Sequence, residues 1–241
     1  MRDHYEELAE FHDLFMDGPW NRIRPALADA FSRVGVSERI LDLGAGTGIG
    51  SRILAACTAA RIVAVEPSHV MRAVLTARIA DDPALASRVS IIAGRLPDAL
   101  ETMKAPFAGF VCAHMLGHLS ADDREATFRH LAKILRPRAC GIITIEPGRD
   151  PAEPEAELVQ ERRIGDYRYI ARYLPSSETH RYVSEYTVLD GDQVLRSERF
   201  AGDWEALPLA TLNAELSQVG LRAERGFPGT ALVRRIDEVD P

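Results

Sequence analysis

Eleven residues, Ile40-Leu41-Asp42-Leu43-Gly44-Ala45-Gly46-Thr47-Gly48-Ile49-Gly50, constrain this chain more than any other stretch. A short apolar strand runs into a glycine cluster and leaves as a helix. Glycine supplies the left-handed conformations such a turn needs and lets backbone approach a ligand closely. A dinucleotide fingerprint requires G-x-G-x-x-G. Counted from Gly44 or Gly46, the third glycine position falls on Ile49 or Ser51. No Lys-Ser or Lys-Thr pair follows, so a P-loop fails too. What remains is G-x-G-x-G, with an aspartate two residues before the first glycine.

The surrounding pattern is alternating. Strands are expected at 40–43, Arg61 to Val65, Val89 to Ala93, Phe110 to Ala113 and Gly141 to Ile145. Helices are expected through Ile53 to Ala56, from Ser68 to Ala80 and from Asp122 to Leu135. Strand–helix alternation at this spacing means βαβ units and a parallel sheet covered on both faces. Upstream, Leu8, Phe11, Leu14 and Phe15 share a helical stripe. Gly18-Pro19 breaks it, and a second helix follows through Ile23, Leu27, Ala30 and Phe31.

After Glu146 the pattern changes. Pro147, Gly148, Pro151 and Pro154 read as a linker, and Glu155 to Ile164 as a helix. Thr179 to Leu189 alternates, with His180, Tyr182, Ser184, Tyr186 and Val188 on one face. Asp190-Gly191 is a hairpin turn and Val194 to Phe200 the return strand. A helix from Leu209 to Val219 and strands at Leu221 to Phe227 and Ala231 to Ile236 close the chain. The expected fold is α/β: a doubly wound, mostly parallel, seven-stranded Rossmann-like sheet with an N-terminal helical lid and an inserted β-hairpin cap. One domain spans 1–241, with lid helices at 1–38, a cofactor core at 39–147, a cap insertion at 148–207 and a closing helix and strands at 208–241.

Composition narrows the function classes. With 46% hydrophobic residues and a net charge of −7, the chain is neither disordered nor a non-specific nucleic-acid binder. No apolar run is long enough for a spanning helix, and the first residues lack the apolar core of a signal peptide. Cys57, Cys112 and Cys140 are too far apart in sequence for a C-x-x-C site or a disulfide framework. A cytoplasmic protein, monomeric or homodimeric, is expected.

The glycine stretch resembles motif I of the class I S-adenosylmethionine-dependent methyltransferases. Val63-Ala64-Val65-Glu66-Pro67-Ser68 resembles the family's second strand, and Leu131 to Pro137 followed by Gly141-Ile142-Ile143 its helix-to-fifth-strand passage. Tyr5-x-x-Leu8-Ala9-x-Phe11-His12-Asp13 is similar to the lid helix of small-molecule members, including those acting on amino sugars in antibiotic pathways. The resemblance covers residues 5 to 146 well and the remainder loosely.

That resemblance implies S-adenosylmethionine as cofactor and S-adenosylhomocysteine as product. Its site would draw on Tyr5, Asp42, Gly44, Ala45, Gly46, Thr47 and Gly48. Glu66 and Pro67 follow, with Glu66 accepting from both ribose hydroxyls, as a carboxylate suits a vicinal diol. Met71 would flank the adenine; the alternative is a core position. Gly94, Arg95 and Leu96 stand where the family often has an adenine-reading aspartate. Arg95 cannot accept from an amino group, so backbone reads the adenine, or Arg95 stacks on it or turns outward. The fourth strand also starts Ala108-Gly109, without the usual acidic residue. At its far end Ala113 and His114 would meet the methionine portion.

His114 and His118 are the candidate bases, because a hydroxyl acceptor must lose a proton during attack; the alternative is that one lines the cofactor and the other packs beneath the next helix. No metal site is expected, since His-x-x-x-His lacks the helix glutamate of H-E-x-x-H. Five of the six tyrosines lie between Tyr167 and Tyr186, interleaved with arginines. Tyr167, Tyr169, His180, Tyr182 and Tyr186 are the candidate substrate residues; the alternative is that the tyrosines pack the hairpin over the sheet. From Pro151 to Tyr186 there are five arginines against seven acids, a net of −2, which does not suit a surface tracking phosphates. The expected activity is methyl transfer to O or N of a small molecule in specialised metabolism. An RNA or protein methyltransferase, or a non-methylating relative that binds the cofactor, is the rival reading.

Overall fold

The computed structural model describes residues 4–145, 157–174 and 181–236. Its first half runs α1 (His4–Phe31), β1 (Arg39–Leu43), α2 (Ile49–Cys57), β2 (Arg61–Glu66), α3 (His69–Ala80), α4 (Pro83–Ala86), β3 (Val89–Ala93) and α5 (Asp98–Glu101). Then come β4 (Phe107–Cys112), a 3₁₀ turn at Leu116–His118, α6 (Ala121–Ile134) and β5 (Leu135–Thr144). Four strands follow: β6 (Leu158–Ile164), β7 (Tyr167–Leu174), β8 (Arg181–Asp190) and β9 (Gln193–Asp203). The described chain ends with α7 (Leu209–Ser217), β10 (Leu221–Arg225) and β11 (Thr230–Arg235).

Seven strands form one sheet in the order β10-β11-β5-β4-β1-β2-β3. Only β11 opposes its neighbours. Period-two alternation assigns successive side chains to opposite faces. Leu41, Leu43, Val63 and Val65 point into a core with Phe128 and Leu131 of α6 and Leu212 and Leu216 of α7. Ile40, Ile62 and Ala64 point the other way, toward Ile53 of α2, Leu75 of α3 and Trp20, Ile23, Leu27 and Phe31 of α1. The strands are therefore buried on both sides, which is why they read as near-continuous apolar runs.

Three local expectations give way. The N-terminal pair of helices is one helix of 28 residues, with Pro19 and Pro25 inside it. A proline there removes a backbone bond, yet the helix continues because both halves are anchored. Phe11 and Phe15 pack in a third apolar cluster, and Trp20 to Phe31 in the second.

The expected helix ending at Ile164 is instead strand β6, paired along its length with β7. Glu, Gln and Arg favour helix by propensity, but pairing with a tyrosine-rich strand overrides so weak a preference. The inserted hairpin is correspondingly the β8–β9 half of a four-stranded antiparallel sheet, β6-β7-β8-β9. Finally, the fifth strand, expected from Gly141, already begins at Leu135 where α6 ends, with Pro137 in its irregular start.

Candidate active site

A cavity opens beyond the carboxyl ends of β1, β2, β3 and β4, where ligands bind in open α/β sheets. Its floor is the glycine loop. Gly44, Gly46 and Gly48 have φ of 70°, 55° and 88°, a left-handed region costly for side chains with Cβ. The amides of Gly44 and Ala45 donate to the Val65 carbonyl at 2.9 and 3.0 Å, fixing the loop to β2. Gly44, Ala45, Gly46 and Thr47 line the cavity; Gly48 turns the chain into α2 behind it. Asp42 lies beneath the loop rather than on the wall, 1% exposed, accepting from Ser51 Oγ at 2.6 Å. Burial pushes its carboxyl up to about 6; the Ser51 bond opposes this and the neighbouring Glu66 charge adds to it.

Glu66 ends β2 on the cavity wall, 6% exposed. Its two carboxylate oxygens accept from the Gly46 and Ser68 amides, each at 2.8 Å. The carboxylate is thereby aimed by backbone, between the loop and the start of α3. Pro67 and Ser68 adjoin it, and Met71 is at once deeply buried and a lining residue. Gly94, Arg95 and Leu96 close this end, with Arg95 exposed and Leu96 buried.

The opposite wall comes from β4 and the 3₁₀ turn: Ala113, His114, Met115, His118 and Leu119. His114 has a φ of 56°, held by its amide donating to Thr144 Oγ1 at 2.8 Å. Its ring meets Trp20 edge-on at 5.6 Å, and its buried Nε2 has no hydrogen-bond partner. Burial first, and then Arg22 and His12, push its pKa down to about 4, so the ring is neutral at physiological pH. His118 is more exposed, and its Nδ1 lies 3.1 Å from the Asp203 carbonyl. A carbonyl only accepts, so Nδ1 carries the hydrogen, and in the neutral ring Nε2 is the acceptor nitrogen.

The roof is α1, which contributes His12, Met16 and Trp20. These lie at i, i+4 and i+8, one face of a helix. That spacing was available in the sequence, but the apolar stripe through Phe11 and Phe15 masked it. Ile49, Val65, Ser68, Met115 and Leu119 are further lining residues that were not among the candidate site residues. Asp13 ties the roof to the floor, accepting from Thr47 Oγ1 and from Arg78 Nη2. Burial would raise its pKa, but hydrogen bonds from His12, Thr47 and Arg78 hold it well below the usual carboxylate range.

The cap residues divide. Tyr186 is buried and stacked on Phe11, with ring centroids 4.7 Å apart. Tyr169 packs against the same cluster, while Tyr167 is exposed near the far turn. The inward face expected of β8 is thus present, and its Tyr186 meets α1. Among the described ones, Tyr182 approaches the cavity, its ring 6.4 Å from that of His118. His180 lies outside the described residues, as does the side chain of Tyr5. Among the described residues no group of three His, Cys, Asp or Glu is placed to hold a metal ion.

A strand order reversing beside β1, with a glycine loop and an acidic β2 terminus at that point, defines a Rossmann-like nucleotide-cofactor site. Residues 40–138 match the family model described as a methyltransferase domain. The matched stretch is the glycine loop and the parallel strands β1 to β4, so the fold is a Rossmann-like one similar to that of methyltransferases. No curated protein matches it. Among solved structures it resembles S-adenosylmethionine-bound CalS10, an amino pentose methyltransferase from Micromonospora echinaspora involved in calicheamicin biosynthesis. That match has a TM-score of 0.70 and 16% identity over 98% of each chain. DesVI of Streptomyces venezuelae matches with a TM-score of 0.71 and 17% identity, over 97% of this chain and 98% of the other. The sugar N-methyltransferase KedS8 from Streptoalloteichus sp. ATCC 53650 matches at 0.66 and 16%, over 93% and 92%. At these identities the likeness establishes the fold.

Proposed function

We propose that this chain transfers a methyl group from S-adenosylmethionine to an oxygen or nitrogen atom of a small molecule in specialised-metabolite biosynthesis. The observation that carries the reading is Glu66: a buried carboxylate at the end of β2, aimed by the Gly46 and Ser68 amides. A carboxylate has about four acceptor positions and accepts readily from a vicinal diol, so one on the cavity wall suits a ribose. The glycine loop gives a polar chain close access to backbone, while Met71 and Leu96 offer apolar contact for an adenine beside Gly94 and Arg95. Asp42 acts from below by fixing α2 through Ser51, and Pro67 shapes the turn after Glu66. The bound cofactor supplies an electrophilic sulfonium methyl.

The protein's own part is orientation and proton handling. His118 Nε2 accepts the acceptor's proton, while the Asp203 carbonyl holds Nδ1–H and steadies the imidazolium that results. His114, its basicity lowered by burial, serves as a hydrogen-bonding wall, and the base is the more exposed His118. α1 excludes water from above, and Tyr182 with the adjoining cap strand contacts the acceptor. Within one domain, 1–38 acts as lid, 39–147 as cofactor core, 148–207 as cap and 208–241 as the closing edge of the sheet. Three free thiols, Cys57, Cys112 and Cys140, suit a reducing compartment such as the cytoplasm.

The test is S-adenosylhomocysteine release on incubation with S-adenosylmethionine and a panel of hydroxylated and aminated sugars and natural-product scaffolds. Release with a small acceptor is expected. Label entering RNA or protein instead would support the rival enzyme reading. Binding without turnover on any acceptor would support a non-methylating relative.

A further inference from the structure

The turn that carries His118 is held from the side away from the cavity. Arg124 on α6 is 2% exposed and makes three separate attachments. Its Nη1 donates to the Leu119 carbonyl at 2.9 Å, the residue after His118, and to Glu205 Oε2 at 2.6 Å. Its Nε and Nη2 grip both oxygens of Glu215 on α7, at 3.0 and 2.7 Å. Glu205 in turn donates its amide to the Gly117 carbonyl at 2.9 Å. The segment Asp203–Glu205, where the chain leaves β9, is thereby pressed against the 3₁₀ turn. Trp204 meets the His118 ring edge-on at 4.8 Å, and the Asp203 carbonyl lies 3.1 Å from Nδ1.

This contact also requires glycine at 117. A Cβ there would lie 2.6 Å from the Glu205 carbonyl oxygen and 2.8 Å from the Trp204 ring. The 3₁₀ turn and the strand exit are packed backbone to backbone, and no ordinary side chain fits between them.

We infer that Arg124 is a positioning residue for His118, clamping the exit of the cap sheet onto the 3₁₀ turn so that the ring keeps its hydrogen on Nδ1 and presents Nε2 as acceptor. A guanidinium suits the task because its planar fork holds several acceptors in fixed directions, which an ammonium cannot do. The Leu119 and Glu205 attachments carry the effect; the Glu215 grip anchors Arg124 itself. Gly117 belongs to the same device, and the cap sheet reaches the candidate base through this joint. The inference rests on the proposed role of His118.

The clamp is tested by ¹⁵N NMR of the His118 ring in the full-length protein, with steady-state kinetics on an acceptor that the wild type methylates. Glu205→Ala removes one arm at a side chain that is 39% exposed, so the fold should survive. It should lower the Nδ1–H fraction of His118 and cut kcat by roughly tenfold, part of what a general base supplies, with the KM for S-adenosylmethionine within about twofold of wild type. Glu205→Gln keeps an acceptor for Arg124 and should recover most of both readouts. Glu215→Ala should lower the melting temperature while leaving the tautomer unchanged. Gly117→Ala, which leaves Arg124 intact, should reproduce the tautomer change.

An unchanged His118 tautomer in both Glu205→Ala and Gly117→Ala would overturn the clamp. Glu215→Ala shifting it as far as Glu205→Ala would do the same. Failure of the proposed function shows separately, as a wild type that neither binds S-adenosylhomocysteine nor methylates any acceptor. The tautomer measurement needs no turnover.

Discussion

Asp42 and His114 show how burial, more than any neighbouring charge, shifts the titration of a side chain beside the cavity. Asp42 is ionised less readily in the folded chain, at about 6, than its ordinary value of 3.8. Its proton is thus bound more tightly when folded. The stability this contributes is fully present below the ordinary value and lost as pH rises through about 6. Asparagine cannot ionise, so Asp42→Asn should gain on the wild type as pH climbs from 4 to 7. The gain should reach on the order of 2–3 kcal/mol, read from denaturant midpoints; a difference independent of pH would refute the burial argument.

For the histidines, kinetics decide. His118→Ala should lower kcat by roughly a hundredfold with donor KM little changed, as loss of a general base requires. His114→Ala should act mainly on binding, because a ring whose pKa is pushed down to about 4 is a weak proton acceptor. The reverse pattern would exchange their roles.

Among the elements, α1 does two jobs: it roofs the cavity with His12, Met16 and Trp20 and packs the cap with Phe11 and Phe15. Asp13 locks it to the glycine loop and α3. Its folded pKa lies below the ordinary value. This link therefore contributes stability above the ordinary range and is lost only as pH falls toward the folded value. Asp13→Asn should weaken S-adenosylhomocysteine binding at pH 7, and the deficit should shrink in strong acid where the wild-type carboxylate is protonated too. An equal deficit at every pH would mean that charge plays no part in the lock.

How much of each element was readable follows from what shaped it. The strands β1, β2 and β4 are buried on both faces, so their apolar runs and the glycine loop announced themselves. β6 did not, because its Gln160, Glu161, Arg162 and Arg163 read as a helix until the tyrosines of β7 are placed beside them. The continuity of α1 across Pro19 was equally hidden, since it depends on two separate apolar clusters holding the two halves. The facing of Tyr182, Ser184, Tyr186 and Val188 was legible from alternation. What that face meets was not, because no local pattern says that Phe11, some 175 residues earlier, stacks on Tyr186.

At the scale of the molecule, two bodies of structure meet along α1 and the Asp203–Glu205 joint. The parallel sheet and its glycine loop form one body and carry the stretch that matches a methyltransferase domain; the four-stranded sheet forms the other and packs on α1. Their union depends on the third apolar cluster. Phe11, 1% exposed among Tyr186, Val188 and Phe200, is its centre. Phe11→Ala should cost about 3–5 kcal/mol, the usual range for a buried phenylalanine. An unmoved denaturation midpoint would mean that the roof does not dock on the cap.

The central claim is that the cavity is a donor site organised by Glu66, and calorimetric titration with S-adenosylhomocysteine tests it most directly. The wild type should bind one equivalent, and Glu66→Ala should bind more weakly by about 1–3 kcal/mol through lost charge-assisted hydrogen bonds. No binding by the wild type, or equal affinity in the two proteins, would contradict the account.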